Sequence, residues 1–195
     1  MATRQPKEQL NISTAYRWLL NELNGLKDSA LEAELLLSIT LGKERVFIIA
    51  HPEHKLTATE EKKLKLLVKK RLAGWSVAVL QGFKYFYGLK FKVDKNVLVP
   101  RPETEMIIDE VLNLKPVNSL IIDIGTGSGC IITSLAKELS ARHLENTYLA
   151  SDVSKRALEI ATTIALVAVF SPLLFLTGAT GRLFTEFALT LAGAV

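Results

Sequence analysis

Asn118-Ser-Leu-Ile-Ile-Asp-Ile-Gly-Thr-Gly-Ser-Gly129, running on into Cys130 to Leu139, is the stretch whose reading decides the fold. It reads as a short buried strand entering a glycine-rich turn, followed by a helix with Ile131, Ile132, Leu135, Ala136 and Leu139 at helical spacing. Strand, glycine loop and helix in that order open a nucleotide-binding α/β unit. Gly125, Gly127 and Gly129 allow a tight turn and close approach of a ligand to the backbone, and the first N–H groups of the helix are free to meet its polar atoms. The dinucleotide fingerprint Gly-x-Gly-x-x-Gly needs glycine at position 130, where Cys130 stands. The spacing Gly-x-Gly-x-Gly, with Asp123 two residues ahead of it, favours S-adenosyl-L-methionine instead. Gly125, Thr126, Gly127, Ser128 and Gly129 are the expected cofactor contacts. A second strand, Thr147 to Asp152, ends in a carboxylate 23 residues after Gly129, placed to accept both hydroxyls of a ribose. The competing reading is a helix-packing glycine turn in an unrelated α/β protein.

Upstream, the first third reads as a small helical bundle. Ser13 is expected to cap a helix through Tyr16, Leu19, Leu20 and Leu23. A second helix begins near Asp28-Ser29 with Leu31, Leu35, Leu36 and Ile39 on one side before Gly42. Thr57 or Thr59, followed by Glu60 and Glu61, starts a third, with Leu64, Leu67, Val68 and Leu72 on its apolar face and Gly74 ending it. Its Lys62, Lys63, Lys65, Lys69, Lys70 and Arg71 read as a solvated face, with neutralisation of RNA phosphates as the alternative. Between Gly82 and Val99, Phe83, Tyr85, Tyr87, Phe91, Val93 and Val97 with turn chemistry at Gly88 and Asp94-Lys95-Asn96 predict a β-hairpin. Pro100 to Thr104 is extended and releases into a helix whose Met106, Ile107, Val111 and Leu112 are apolar.

Composition narrows the class. The 195 residues carry a net charge of +4, 49% hydrophobic residues and one cysteine, which excludes a disordered tail and a disulfide scaffold. The charge is uneven. Residues 1–90 hold 15 basic and 9 acidic side chains and residues 91–159 hold 8 and 10, whereas residues 160–195 hold only Arg182 and Glu186. The start has no apolar run of the signal-peptide kind, so residues 1–161 read as cytoplasmic. His51 and His54 stand in His-Pro-Glu-His without further ligands at metal spacing, so a turn is expected there and no metal site. Cys130 reads as a buried small side chain rather than a nucleophile.

From about residue 8 to 161 the chain resembles the HemK-type peptide chain release factor N5-glutamine methyltransferases. The resemblance rests on Leu41-Gly42-Lys43-Glu44-Arg45, His51-Pro52-Glu53, Arg71-Leu72-Ala73-Gly74, Phe86 to Asp94, and above all Val97-Leu-Val-Pro-Arg-Pro-Glu-Thr-Glu105 joined to Asp123 to Cys130. It implies a helical domain that docks on a peptide chain release factor (1–75), a β-hairpin linker (76–99) and the start of a Rossmann-like class I methyltransferase domain (100–161). That domain would methylate the glutamine of the factor's Gly-Gly-Gln motif, with no sequence-specific contact to nucleic acid. Two departures matter. Ser76 and Val79 stand where the family has Pro and Tyr. The family's Asn-Pro-Pro-Tyr, which positions the glutamine amide, occurs nowhere in the sequence, so no catalytic residue is assigned and weak or absent activity is expected. Only 78 residues follow from Asn118 onward, too few for the family's seven-stranded sheet, so a loosely packed cofactor half is expected unless the apolar tail covers it.

After Ala161 the text changes. Ile160 to Gly181 is 22 residues without a charge, the length of a membrane span. Residues 162–195, with Thr180-Gly-Arg-Leu-Phe-Thr-Glu-Phe-Ala-Leu-Thr190, resemble a transmembrane fragment of resistance-nodulation-division efflux transporters. The expectation is an α/β protein with an apolar helical tail, joined near residues 161–162 from two unrelated coding fragments, with membrane association through residues 160–195.

Overall fold

The computed structural model describes residues 10–170. The chain divides between Gln81 and Gly82 into two compact units. The first is helical: α1 (Ile12–Glu22), α2 (Ser29–Leu41), α3 (Arg45–Ala50), α4 (Ala58–Leu72) and α5 (Val77–Gln81). The second is mixed, with hairpin strands β1 (Phe83–Phe86) and β2 (Leu89–Lys92), α6 (Glu105–Leu114), β3 (Leu120–Ile124), α7 (Cys130–Ala141), β4 (Thr147–Ser151) and α8 (Lys155–Phe170). The protein is thus α/β with two small sheets, β1–β2 antiparallel and β3–β4 parallel.

In the helical unit, Leu19 and Leu23, Leu36 and Leu37 of α2, and Leu64 of α4 are fully buried in one core. The cap of α1 is Asn11, not Ser13: Asn11 Oδ1 accepts from Thr14 N–H at 2.8 Å and Thr14 Oγ1 accepts from Asn11 N–H at 3.1 Å. Ser13 cannot serve because it already lies inside the helix, its N–H donating to Pro52 O at 2.9 Å while Ile12 N–H donates to His54 O at 2.9 Å. The His-Pro-Glu-His turn therefore satisfies the orphan donors of α1. Phe47 packs against both imidazoles, at 4.5 and 5.3 Å between centroids.

The inward face of α2 is Ala33, Leu36, Leu37 and Thr40, rotated from the expected one, and Leu31 is exposed. A helix that is apolar nearly all round gives no unique face until neighbours choose it. On α4, Thr57 forms a capping box with Glu60, and Leu64, Leu67 and Val68 are buried as expected, whereas Leu72 in the last turn is exposed. The short helix α3 has no side-chain cap, and α5 is entered through Ser76, whose Oγ accepts from Val79 N–H at 3.3 Å.

In the second unit the two-residue loop Tyr87-Gly88 joins β1 to β2 with both residues at positive φ (46° and 70°), as a type I′ turn requires. Tyr87 is held there by α6: its N–H donates to Glu105 Oε1 at 2.8 Å and its hydroxyl to Asp109 Oδ1 at 2.7 Å. Phe86 and Phe91 of the hairpin join Ile108 and Leu112 of α6 and Leu135 and Leu139 of α7 in one core. Met106 and Ile107 are exposed, because a 3₁₀ turn at Pro102–Thr104 precedes α6 and sets Ile108 and Leu112 inward. Val97 lies beyond the strands.

The expectation of a buried strand fails for β3. Ile121, with its register partner Tyr148, faces the core, whereas Leu120, Ile122 and Ile124 are 60%, 50% and 83% exposed. Helices cover one side of this sheet, and among the described residues nothing covers the other. No helix among the described residues is long and apolar enough to cross a membrane. Half of the apolar stretch expected to span one, and the transporter-like residues after 170, lie outside the described residues.

Both tryptophans, Trp18 and Trp75, lie in the helical unit, so fluorescence isolates its unfolding. Thr57→Ala removes the box and is expected to cost the helical unit about 1 kcal/mol in urea denaturation followed by tryptophan emission. Thr59→Ala, at a position with no capping contact, is expected to cost nothing measurable.

Candidate functional site

The parallel register places Ile124 opposite Ser151 at the ends of β3 and β4. The chain then turns through Gly125 to Gly129. Ser151 O accepts from both Gly125 N–H (2.8 Å) and Thr126 N–H (2.9 Å), so the turn is pinned to the end of the neighbouring strand. Thr126 Oγ1 donates to Asp123 Oδ2 at 2.7 Å, and Gly129 N–H donates to Thr126 O at 2.9 Å, closing the turn onto the first residue of α7. One residue past β4, Asp152 Oδ2 accepts from Gly127 N–H at 2.8 Å while its Oδ1 accepts from Ser154 N–H at 2.8 Å. Those donors, Ser154 before Gly127, hold the Asp152 carboxyl below the ordinary carboxylate range.

All six expected cofactor contacts therefore meet in one place, but in different ways. Gly125 (φ 78°) and Gly127 (φ 57°) border open space: a Cβ built on either meets nothing within 4 Å. Gly129 (φ 75°) is different. A Cβ there would lie 2.9 Å from Ala161 Cβ of α8, so this glycine makes room for a helix rather than for a ligand. That is the packing-glycine reading, applied to one glycine of the three. Thr126 and Ser128 are buried, so a ligand at the turn meets their backbone and not their hydroxyls.

The sequence casts Asp152 as a hydroxyl acceptor. Its hydrogen bond to Gly127 adds a second task, fixing the shape of the turn. Nothing in the glycine spacing signals the hydrogen bond of Thr126 to Asp123, which forms once the turn brings the hydroxyl back to the carboxylate. Ser128 Oγ, Thr133 Oγ1 and Ser134 Oγ are buried without a conventional hydrogen-bond partner among the described residues, and Ser128 has only the weakly bonding Cys130 thiol beside it. Burial pushes that thiol up, which favours the protonated form of Cys130. Among the described residues no group of three His, Cys, Asp or Glu side chains lies together as a metal cage.

The basic cluster of α4 is partly consumed by the fold. Arg71 makes a bidentate pair with Glu32 (2.6 and 2.8 Å), Lys63 Nζ donates to the Ile39 and Thr40 carbonyls at the end of α2, and Lys70 lies over the Trp75 ring. Lys62, Lys65 and Lys69 remain exposed.

Two measurements check this geometry. Because the folded Asp152 carboxyl sits below its ordinary value near 3.8, the clamp is complete above that pH and is lost as pH falls through the lower folded value. The amide resonances of Gly127 and Ser154 are expected to shift together in that acid range, and Asp152→Asn to abolish the titration. Gly127→Ala is expected to destabilise the second unit by about 1 kcal/mol, the strain of a side chain at positive φ. Gly129→Ala adds a clash with Ala161 and is expected to cost about 3 kcal/mol, read from amide exchange in α7 and α8.

A family model described as the PrmC N-terminal domain matches residues 14–82, and one described as the AcrB/AcrD/AcrF family matches residues 130–195. Curated relatives include the release factor glutamine methyltransferases of Koribacter versatilis (41% identical over 133 residues, 67% of this chain and 46% of the relative) and Coxiella burnetii (38% over 155 residues, 78% and 54%). That of Shewanella oneidensis is 36% identical over 136 residues, 69% of this chain and 48% of the relative. The chain spans about half the length of the curated relatives it matches. The Coxiella burnetii alignment and the AcrB/AcrD/AcrF match together exceed the chain, so part of residues 130–195 is shared between them. By these matches the chain is similar to the PrmC N-terminal domain over residues 14–82, to about half of each of these release factor glutamine methyltransferases, and to the AcrB/AcrD/AcrF family over residues 130–195.

Proposed function

We propose that residues 100–161 are the opening of a Rossmann-like class I methyltransferase domain that binds S-adenosyl-L-methionine, and that the helical domain docks on a peptide chain release factor. The observation that carries this reading is the Asp152 carboxylate at the end of β4, one hydrogen bond away from the open backbone at Gly125 and Gly127. The residues fit the ligand. A carboxylate accepts about four hydrogen bonds, and Asp152 uses one on each oxygen, so both retain capacity for ribose hydroxyls. The backbone of Gly125 to Gly129 and the first turn of α7 offer N–H groups and no side-chain obstruction at Gly125 and Gly127. When bound, S-adenosyl-L-methionine supplies a sulfonium-activated methyl group; the residues named here hold and orient it.

In the relatives the acceptor is the release factor glutamine that their names state. In this reading the same N5-glutamine transfer is the ancestral activity, with residues 1–75 as docking domain and residues 76–99 as linker, all acting in the cytoplasm. The 195 residues contain no Asn-Pro-Pro-Tyr, so the device that orients the acceptor amide is absent from them and little transfer is expected.

Equilibrium dialysis with labelled S-adenosyl-L-methionine tests the site. Binding is expected, and Asp152→Ala is expected to weaken it by roughly tenfold or more, the loss of a charged acceptor. No binding overturns the cofactor assignment. Methylation of a Gly-Gly-Gln-containing release factor well above the Asp152→Ala background overturns the expectation of a silent catalytic centre.

The AcrB/AcrD/AcrF match favours a second reading of the C-terminal residues, as a transporter fragment joined near residues 161–162 that associates with membranes. Retention in the membrane pellet after an alkaline wash supports it, and full release counts against it.

A further inference from the structure

The helical unit contains a cavity of about 270 Å³. Ile12 of α1, Ile48 and Ile49 of α3 and Pro52 give it apolar walls, and Ser13, Tyr16 and Glu34 supply its polar groups. Ile12 and Ile48 belong to the core, whereas Ile49 is 62% exposed, so the cavity runs from the core to the surface. Its shape is fixed in advance. The wall at Pro52 is tied to α1 because Pro52 O accepts from Ser13 N–H and His54 O from Ile12 N–H.

The polar groups give the cavity a sign. The residues that line it include one carboxylate and no cation. Glu34 commits one oxygen to an ion pair, Oε2 accepting from Arg45 Nε at 3.0 Å and from Nη2 at 2.6 Å. Among the described residues Oε1 accepts no hydrogen bond, and the hydroxyls of Ser13 and Tyr16 make none. The Arg45 side chain is half-exposed, and a pair of that kind holds its carboxylate weakly. An apolar cavity with a few convergent polar groups is the usual form of a small-molecule site.

We propose that this cavity binds a small organic cation, a primary ammonium carried on an aromatic ring or an aliphatic body of similar size. An apolar cavity of about 150 Å³ takes up benzene, so one of about 270 Å³ has room for a ring and a short amine arm. The ammonium donors match Glu34 Oε1 and the two hydroxyls, and its charge meets the carboxylate without displacing Arg45 from Oε2. A neutral ligand would shield Oε1 from water without replacing its hydrogen bond, and an anion would face a like charge. All of these residues lie in the helical unit, so the site stands apart from the cofactor reading of residues 100–161.

Phenethylamine, phenethyl alcohol and phenylacetate form a near-isosteric series of cation, neutral molecule and anion. Each is titrated into the full chain, with the methyl NMR signals of Ile12 and Ile48 as the readout. The amine is expected to bind with a Kd on the order of 1 mM or below. It is expected to bind about tenfold more tightly than the alcohol, with phenylacetate weakest. Glu34→Gln is expected to erase the advantage of the amine and leave the affinity of the alcohol unchanged, which shows that the cavity persists in the variant. Arg45→Gln frees the second oxygen and is expected to tighten the amine about threefold. Ile49→Phe fills the exposed rim and is expected to weaken all three probes. Unmoved methyl signals, equal binding of amine and alcohol, a preference for phenylacetate, or an amine preference that survives Glu34→Gln overturns the proposal. Nα-acetyl-lysine amide carries the same ammonium on a flexible stem and is expected to bind more weakly than phenethylamine. Tighter binding of that probe assigns the cavity to a lysine side chain of a protein partner and overturns the small-molecule assignment.

Discussion

The register of β3 against β4 is the constraint on which the second unit depends. Placing Ile124 opposite Ser151 brings the Ser151 carbonyl under the N–H groups of Gly125 and Thr126, and sets Asp152 one residue further on, beside Gly127. A slip of β4 by one residue would turn Tyr148 out of the core and move the carboxylate off the turn. Site and core are therefore specified together: the same alternation that buries Ile121 and Tyr148 delivers Asp152 to the glycine backbone. Gly129 then lets α8 approach α7 closely through Ala161, which seats the segment that carries Asp152 at its start.

The helical unit is organised by polar groups at helix ends as much as by its leucines. The His51 to His54 turn supplies carbonyls to the first N–H groups of α1, the Thr57–Glu60 box starts α4, and Lys63 closes the last turn of α2. The Arg71–Glu32 pair, with both side chains largely buried, joins α4 to α2 by a fork whose removal from one side would strand a charge. These contacts change the meaning of the basic cluster. Arg71, Lys63 and Lys70 serve the fold, which leaves a sparser exposed charge than the sequence suggests and weakens the case for a phosphate-binding surface.

The AcrB/AcrD/AcrF match and the alignment to the Coxiella burnetii methyltransferase overlap in the second unit. The AcrB/AcrD/AcrF match begins at Cys130, well before the change of composition near residue 161. The structure forms α7 and β4 within that overlap, with α7 packed on the hairpin core and β4 in parallel register with β3. Residues 130–151 thus make contacts that depend on residues 83–124, and they belong physically with what precedes them.

The sequence by itself determined the elements with strong local signals. Glycine spacing and the flanking apolar runs located β3, the turn, α7 and β4; Thr57 with Glu60 marked α4; and Gly88 marked the hairpin, although Tyr87, which reads as a strand former, lies in the turn at positive φ. Those signals are legible because each acts over a few residues through backbone geometry. Tertiary structure decided the rest. The inward face of α2 depends on which of its many apolar sides meets α4, and Asn11 caps α1 because the His-Pro-Glu-His turn takes up Ser13. Gly125 and Gly127 open to solvent while Gly129 meets Ala161, a distinction that lies 32 residues away in the chain. The half-bare state of β3 was the least legible of all, because an apolar strand reads the same whether its second face is filled or bare, and only the presence of a covering layer tells the two apart.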